Sequence, residues 1–378
     1  MINGDRIKQA RELRGLTQIQ FAASIGVNQS AIAQIESGRI TPGEQVFQRI
    51  ILQTGFPADF FNQPNSVDFP LGSLLFRARA SVTLRERCQA RQYARTVYEV
   101  AEKMGKNITG IPLRLPRLED KPDRAAIQTR SSLSLSPDGP IPNLINGIEK
   151  SGTLVMALPT ELKKRDAFSA WVGSDIRRPV IVICNNTVPG DRLRFSIAHE
   201  LGHLVIHQAL TGDMPRAERE ANLFAGEFLM PKEAMLKEIT RPVTLPNLIP
   251  LKARWKVSIQ ALIRRAYELE IITPRQYKYL MYQLSLQGWR TKEPLDIPIE
   301  KPRMISQMAE LLYGVPINYK KLADDVNLPP FLVKRTLEAH AVKKKVNCND
   351  DGMNAKGEVI SLSQKTFNSQ LADIAKEE

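Results

Sequence analysis

The stretch from Arg194 to His207 reads RFSIAHELGHLVIH, and it indicates a metal-binding helix in the middle of the chain. It contains the pattern HExxH on a segment whose apolar residues recur at helical spacing. Because residues four positions apart lie on one face of a helix, His199 and His203 can hold one Zn²⁺ between them. Glu200 projects next to them and is placed to act as a general base on the attacking water.

The neighbouring sequence supports a metal site, which so short a pattern would not establish alone. The chain has only 4 histidines, and His199, His203 and His207 all fall in this stretch. The strand-like segment Pro179–Cys184 precedes the helix, and we expect it to be an edge strand along a substrate cleft. At a rise of about 1.5 Å per residue, His207 lies about 12 Å from His199, so we expect it to be structural or solvent-facing. The isolated His340 has no predicted role.

A third ligand is expected from the segment 216–229, RAEREANLFAGEFL, which is also helical in pattern. Glu218, Ala221, Asn222 and Ala225 share one face, and the two alanines allow a close approach to the first helix. We therefore predict Glu218 as the third metal ligand and Asn222 as a hydrogen-bond partner of a ligand. Glu220 is the alternative ligand, but it lies about 200° round the helix from Glu218.

These two motifs resemble those of the ImmA/IrrE family of zinc-dependent peptidases. The segments GPIPNLINGIEKSGTLV (139–155) and SIQALIRRAYELEIIT (258–273) agree, and the resemblance covers roughly residues 120–290. It implies a gluzincin-like site in which His199, His203 and Glu218 bind Zn²⁺ while Glu200 serves as base and proton shuttle. It identifies no residue that stabilises the oxyanion.

The first 55 residues show the signals of four short helices. The second is predicted to begin at Thr17, with Gln20 completing a capping box, and to end at Gly26 in a left-handed conformation. The third is predicted to run from Asn28 to Gly38. The fourth is predicted from the run Thr41-Pro42-Gly43-Glu44, with cap, proline and glutamate in order, and is expected to end near residue 54.

The second and third helices meet at a very short turn, which is the helix-turn-helix arrangement. The run LTQIQFAASIGVNQSAIAQIESGRITP (16–42) resembles the lambda-repressor-like (Xre) family of DNA-binding domains. The resemblance implies that the third helix enters the major groove. Gln29, Ser30 and Gln34 are then expected to face base edges, and Gln18 and Arg39 to reach phosphates. The alternative is a four-helix module that is kept for protein contacts.

One short recognition helix reads few bases, so we expect a homodimer on a double-stranded DNA operator. The net charge of +13 also favours a polyanionic partner, although it is compatible with solubility alone.

The length of 378 residues suits two or three domains of about 150 residues each. Proline clusters, the first a linker from Pro57 to Pro70, place the boundaries. We predict a helix-turn-helix domain at 1–60, a linker and basic helical region at 61–122, a zincin-like peptidase domain at 123–292 and a helical subdomain at 293–378. The expected fold class is mainly α with a small β-sheet (α+β). Its strands are expected at Gly152–Leu158, Ala167–Gly173 and Pro179–Cys184.

Features that the sequence lacks indicate the cellular compartment. The three cysteines form no CxxC pair, no signal peptide is visible at the N-terminus, and the longest apolar run is far too short to cross a bilayer. We therefore expect a cytoplasmic protein without membrane contact.

Two basic or helical stretches have open interpretations. Residues 252–292 hold nine Lys and Arg against two Glu, which suits a solvated face or, as the alternative, DNA backbone contact. The helices around Asn327-Leu328-Pro329 and a turn at 350–352 suit a capping subdomain or, more weakly, a second helix-turn-helix with a wing.

The functional hypothesis is a DNA-binding transcription regulator that carries a zinc-dependent endopeptidase domain. The substrate would be a partner repressor or its own linker, and the family resemblance suggests a prokaryotic stress, mobile-element or toxin–antitoxin switch. An alternative is a non-catalytic one-component transcription factor or antitoxin whose second domain only binds zinc or a ligand. A third is a stand-alone metalloprotease with a vestigial DNA module.

Overall fold

The computed structural model describes residues 1–64, 83–108, 113–158, 166–173, 177–185, 187–207 and 213–340. The fold class is mainly helical with one small sheet, as predicted. The helices are α1 (Gly4–Leu13), α2 (Gln18–Ser24), α3 (Gln29–Glu36), α4 (Glu44–Thr54), α5 (Ala58–Phe61), α6 (Leu84–Gly105), α7 (Pro122–Ser132), α8 (Leu144–Glu149), α9 (Gly190–Ile206), α10 (Met214–Leu229), α11 (Lys232–Glu238), α12 (Leu245–Trp255), α13 (Ile259–Glu268), α14 (Pro274–Leu286), α15 (Met304–Tyr313), α16 (Tyr319–Val326) and α17 (Pro330–His340). The strands are β1 (Leu154–Ala157), β2 (Ala167–Val172) and β3 (Arg178–Ile183).

The predicted start and stop signals of α2 and α3 are confirmed. Thr17 and Gln20 form the capping box of α2 in both directions. The Asn28 side chain caps α3 by accepting from the Ala31 amide at 2.7 Å. Gly26 has φ +67°, the left-handed conformation that costs glycine little.

The fourth helix begins later than the sequence predicts. Its first residue is Glu44 and its N-cap is Gly43, so the predicted cap at Thr41 and the proline at the first helical position are wrong. Pro42 is buried, and Gly43 is extended with φ −65° and ψ 160°. Gly43 is therefore the last extended residue before the helix, and helical geometry starts at Glu44.

The first part of the predicted linker is wrong as well. Residues Ala58–Phe61 form α5, and the rings of Phe60 and Phe61 are fully buried. Two adjacent aromatic side chains bury too much apolar surface to stay in a linker. The next part of that linker, including Pro70, lies outside the described residues.

The sheet has the order β1-β3-β2, with β1 parallel and β2 antiparallel to β3. The expectation that Pro179–Cys184 is an edge strand is therefore wrong. The physical reason is visible in its composition, because every residue from Pro179 onwards is apolar and buried, and a strand covered on both faces needs no polar alternation. Of the described strands, β2 is the outer one beside the helix α9.

The two faces of the sheet belong to different hydrophobic cores because side chains alternate along a strand. One core contains Met156, Phe168 and Val182 together with side chains of α1–α6 and α15–α17. The other contains Val155 and Ile181 together with side chains of α7–α14. The sheet therefore separates the core of the helix-turn-helix helices from the core of the HExxH helix and contributes side chains to both.

Buried polar groups attach the C-terminal helices to the sheet and to the segment that precedes it. Glu149 accepts from the Arg303 and Met304 amides at 3.1–3.2 Å and so caps α15 from a distant segment. His340, which had no predicted role, accepts from the Ala157 amide of β1 at 3.0 Å. The suggested turn at 350–352 lies outside the described residues.

None of the helices in the described ranges combines the length and apolar character that a bilayer crossing requires.

Candidate metal centre and nucleic-acid interface

The HExxH helix α9 lies between the outer strand β2 and the helix α10. A Cβ atom on Gly202 would meet ring atoms of Phe224 at 2.9–3.1 Å, so glycine permits the close approach of α10. Ala221 and Ala225 of α10 are fully buried, as expected for a close helix contact. The G of HELGH thus sets the distance at which α10 can offer a carboxylate to the histidines.

The structure brings together the three side chains predicted as metal ligands. The Nε2 atoms of His199 and His203 are 3.0 Å apart. The Glu218 carboxylate lies 3.2 Å from Nε2 of His199 and 3.6 Å from Nε2 of His203. All three ligand atoms fall within 4.8 Å of one another, the arrangement of a possible metal site. Two imidazoles and one carboxylate are the protein ligands that zinc has in many hydrolases.

Each histidine has a further partner on its other ring nitrogen. Nδ1 of His199 lies 3.0 Å from Oδ1 of Asn222, the residue predicted for this contact. Nδ1 of His203 lies 2.8 Å from Nδ1 of His207. Nε2 of His207 lies 3.0 Å from the Glu220 carboxylate.

Glu220, the alternative ligand, faces away from the cluster. Its carboxylate accepts from Nε of Arg216 at 2.8 Å as well as contacting His207. These two hydrogen bonds, that of Arg216 first, lower the pKa of Glu220. The side chain therefore acts on His207 and not directly at the predicted metal position.

The carboxylate of Glu200 is buried and held by a residue that the sequence interpretation missed. Ser169 Oγ donates to the Glu200 carboxylate at 2.7 Å and also lies 3.1 Å from its carbonyl oxygen. Ser169 is a serine in the otherwise apolar strand AFSAWV, and this single polar position was the available signal. Trp171, two residues along the same face of β2, donates from its ring N–H to the Leu204 carbonyl at 3.0 Å.

A cavity of about 930 Å³ lies beside the cluster. It extends from Ser196 and Asn222 to the start of α13 and the segment after Trp289. Its wall mixes apolar groups, such as Phe195 and Met230, with charged ones.

The basic stretch 252–292 is partly neutralised by acidic partners from other segments. Lys252 is buried between Asp191 and Glu293, and Arg265 is buried against Glu227. The interpretation of a solvated face is therefore wrong for Lys252 and Arg265. Asp191, Glu293 and Glu227 lie outside the stretch, so the charge balance within it did not reveal these ion pairs.

Of the predicted DNA-contacting residues, Gln29 and Ser30 lie at the N-terminal end of α3, Gln34 lies in its second turn and Arg39 follows the helix. Gln29 and Ser30 are exposed, Gln34 is half-buried with its amide 3.3 Å from the Ser30 hydroxyl, and Arg39 is exposed after the helix. Gln29 donates to the Gln18 side chain at 2.9 Å.

Gln18 is held by a buried ion pair that the sequence interpretation missed. Its amide donates to Glu36 at 2.8 Å, and Arg11 donates to both Glu36 oxygens at 2.5 and 3.0 Å. A planar guanidinium fixes a carboxylate well in this bidentate geometry. The pair therefore orders the start of α2 and, through Gln18, the first side chain of α3.

Two segments match the models of known families. Residues 7–61 match a helix-turn-helix model, and residues 148–267 match the peptidase-family model of the IrrE N-terminal-like domain. The chain joins a helix-turn-helix domain to an IrrE-like domain. A crystal structure of Bacillus thuringiensis PlcR in complex with a peptide and DNA is similar at 12% sequence identity and a TM-score of 0.15, covering 89% of this chain and 95% of that chain. A search of curated proteins gave no match.

The matched ranges include the residues predicted for the metal site and the helices of the helix-turn-helix. The IrrE-like segment contains His199, His203, Glu218 and Glu200 as well as the strand that carries Ser169. The helix-turn-helix segment extends to residue 61 and so includes α5, which agrees with the burial of that helix in the first core.

Proposed function

We propose that this chain is a DNA-binding transcription regulator whose IrrE-like domain hydrolyses a peptide bond in a partner repressor or in the chain itself. The observation that carries the proposal is the convergence of two histidine Nε2 atoms and the Glu218 carboxylate beside a buried glutamate. A helix-turn-helix domain on the same chain supplies the link to transcription.

DNA is read by the exposed start of α3. Gln29 can pair with adenine through both groups of its amide, and Ser30 can contact a neighbouring base edge. Gln18 and Arg39 contact phosphates and thereby fix the register of the domain. Two copies of the chain bind paired half-sites as a homodimer.

His199, His203 and Glu218 hold Zn²⁺ in the IrrE-like domain. Zn²⁺ supplies Lewis acidity when bound. Asn222 keeps the ring of His199 oriented by accepting from Nδ1. Ser169 fixes the Glu200 carboxylate, so that the base is held in one orientation before the reaction begins.

Glu200 carries the proton through the hydrolysis. Its carboxylate accepts a proton from water as the new C–O bond to the peptide carbonyl forms. The protonated Glu200 then returns that proton to the leaving nitrogen as the C–N bond breaks. The products are a carboxylic acid and an amine, the second proton of the water then passes from the acid to the amine, and Glu200 ends in its starting state.

A second candidate, a regulator that senses zinc or a ligand without cleavage, is favoured by the shared sheet. Ser169 touches Glu200, whereas its neighbours Phe168 and Ala170 belong to the core that contains the helix-turn-helix helices. A change at the metal cluster could therefore reach the DNA-binding helices through β2 alone.

The variant Glu200→Gln separates the two candidates. The zinc-loaded chain is incubated with a synthetic peptide library and, separately, alone, and both samples are analysed by mass spectrometry. Loss of the base is expected to slow cleavage by about 10²- to 10⁴-fold, with zinc and operator binding kept. Glu233→Gln, at an exposed position on α11, is the matched control.

Three outcomes of this experiment distinguish the peptidase from the sensor. Cleavage by wild type and Glu233→Gln but not by Glu200→Gln supports the peptidase. Cleavage that is equal in all three comes from a contaminant and refutes it. No cleavage by any of them, with operator affinity that changes on zinc removal, supports the sensor.

A further inference from the structure

We propose that His207 and Glu220 form a relay that positions His203 for the metal, so that His207 is a positioning residue of the site. The proposal rests on the metal function proposed above. It assigns a role to the third histidine of the stretch and to the carboxylate that does not join the metal cluster.

The relay is a continuous chain of short polar contacts. Nδ1 of His203 lies 2.8 Å from Nδ1 of His207, and Nε2 of His207 lies 3.0 Å from the Glu220 carboxylate. Arg216 extends the chain by donating to the other oxygen of Glu220 at 2.8 Å. The His207 side chain is only 11% exposed and that of His203 only 4%, so the contact between the rings is shielded from water.

When a metal is bound, only one set of proton positions gives every polar contact of the relay both a donor and an acceptor. A histidine that gives Nε2 to a metal must carry its remaining proton on Nδ1. Nδ1 of His203 therefore donates, and Nδ1 of His207 accepts. The proton of His207 then sits on Nε2 and is donated to the Glu220 carboxylate.

The two histidine ligands are thus supported differently. His199 is supported by the neutral amide of Asn222, which is exposed. His203 is supported by an imidazole that is itself held by a carboxylate. Without the acceptor on His207, the nearly buried Nδ1–H of His203 would lose the hydrogen bond to that ring, which disfavours the tautomer that binds metal.

The local fold does not require the His207 side chain. His207 is the C-cap residue of α9, but it serves that role through its backbone amide, which donates to the His203 carbonyl at 3.1 Å. Any residue other than proline can supply that bond. The side-chain contacts are therefore available for the ring of His203.

The test compares the zinc affinity of variants by competition with a chromophoric chelator. His207→Leu removes the acceptor, and its zinc affinity is expected to fall by about 10- to 100-fold. His207→Asn keeps an oxygen acceptor close to the position of Nδ1 and should restore most of the affinity. Glu220→Leu should weaken binding, whereas Glu220→Gln, which still accepts from Nε2, should not. Glu233→Gln is again the control, and thermal unfolding without metal shows that each variant is folded.

The outcomes keep the two proposals apart. Wild-type affinity in His207→Leu overturns the relay while the metal site stands. Equal weakening in His207→Leu and His207→Asn, with both folded, also overturns it, because the shape of the ring and not its acceptor would then matter. A wild-type chain that binds no Zn²⁺ overturns the proposed function together with the relay. Loss in His207→Leu with rescue in His207→Asn supports it.

Discussion

Replacing Glu149 by glutamine tests how the C-terminal helices are attached. The Glu149 carboxyl is 5% exposed and accepts from the backbone amides of Arg303 and Met304. Burial raises its pKa to about 7, although the two hydrogen bonds oppose the shift. Glutamine keeps the size of the side chain and one oxygen acceptor but cannot ionise.

The sign of the effect follows from where the proton is held. The folded chain binds the proton up to about pH 7, whereas the unfolded chain releases it near pH 4.5. The stability that the protonated group contributes is therefore complete below pH 4.5 and lost as the pH rises through about 7. At about 1.4 kcal/mol per pKa unit, the loss over this window is about 3 kcal/mol.

The measurement is the free energy of unfolding in urea, followed by circular dichroism at several pH values between 4.5 and 8. Subtracting the wild-type value from that of Glu149→Gln cancels the pH dependence of all other groups and leaves the cost of the substitution as a constant offset. That difference should shift by about 3 kcal/mol in favour of the variant as the pH rises. Glu233→Gln, at an exposed position, should show no such shift. A difference between Glu149→Gln and wild type that stays constant across the range would refute the reasoning.

Three further predictions concern groups on either side of the sheet. Burial lowers the pKa of His340 to about 4 from an ordinary value of 6.5. Relative to His340→Gln, wild type should therefore lose about 3 kcal/mol of stability as the pH falls through this window, as measured by urea unfolding. The contribution of Glu149 is common to both chains and cancels in the difference. Ser169→Ala should lower the rate of peptide cleavage by about tenfold through loss of one hydrogen bond to Glu200, with zinc content unchanged; an unchanged rate would remove Ser169 from the site. Gly202→Ala should cost about 1–3 kcal/mol of stability through overpacking, whereas Gly105→Ala, which has open space around it, should cost nothing in the same unfolding assay.

The parts of the fold that the sequence predicted well are those with local signals. The capping box of α2 and the asparagine cap of α3 act over three residues, so they can be recognised without a partner segment. The same holds for His199 and His203, since four positions on a helix fix their common face. Glu218 needed only a second helix with small residues on the same face.

The contacts that escaped prediction join residues far apart in the chain. Ser169 meets a residue 31 positions away, Glu149 one 154 positions away, and His340 one 183 positions away. The spacing of apolar and polar residues within one segment carries no information about a contact residue in a distant segment. The prediction for β3 failed for a different reason, because its order in the sheet depends on pairing with β1. The apolar run from Pro179 onwards already suggested a central strand.

The strand β2 allows the two candidate functions to be separated by DNA binding alone. If the protein acts by cleavage, the intact chain should bind its operator equally well with and without Zn²⁺, since the reaction and not metal occupancy ends repression. If it acts as a sensor, removal of Zn²⁺ should shift Ser169 through Glu200, and Phe168 and Ala170 must move with the same strand. Operator affinity should then change on chelation, and Glu200→Ala should weaken that response because it removes the side-chain contact with Ser169 of β2. Affinity that is unaffected by chelation in an uncleaved chain would leave hydrolysis as the route from the metal centre to transcription.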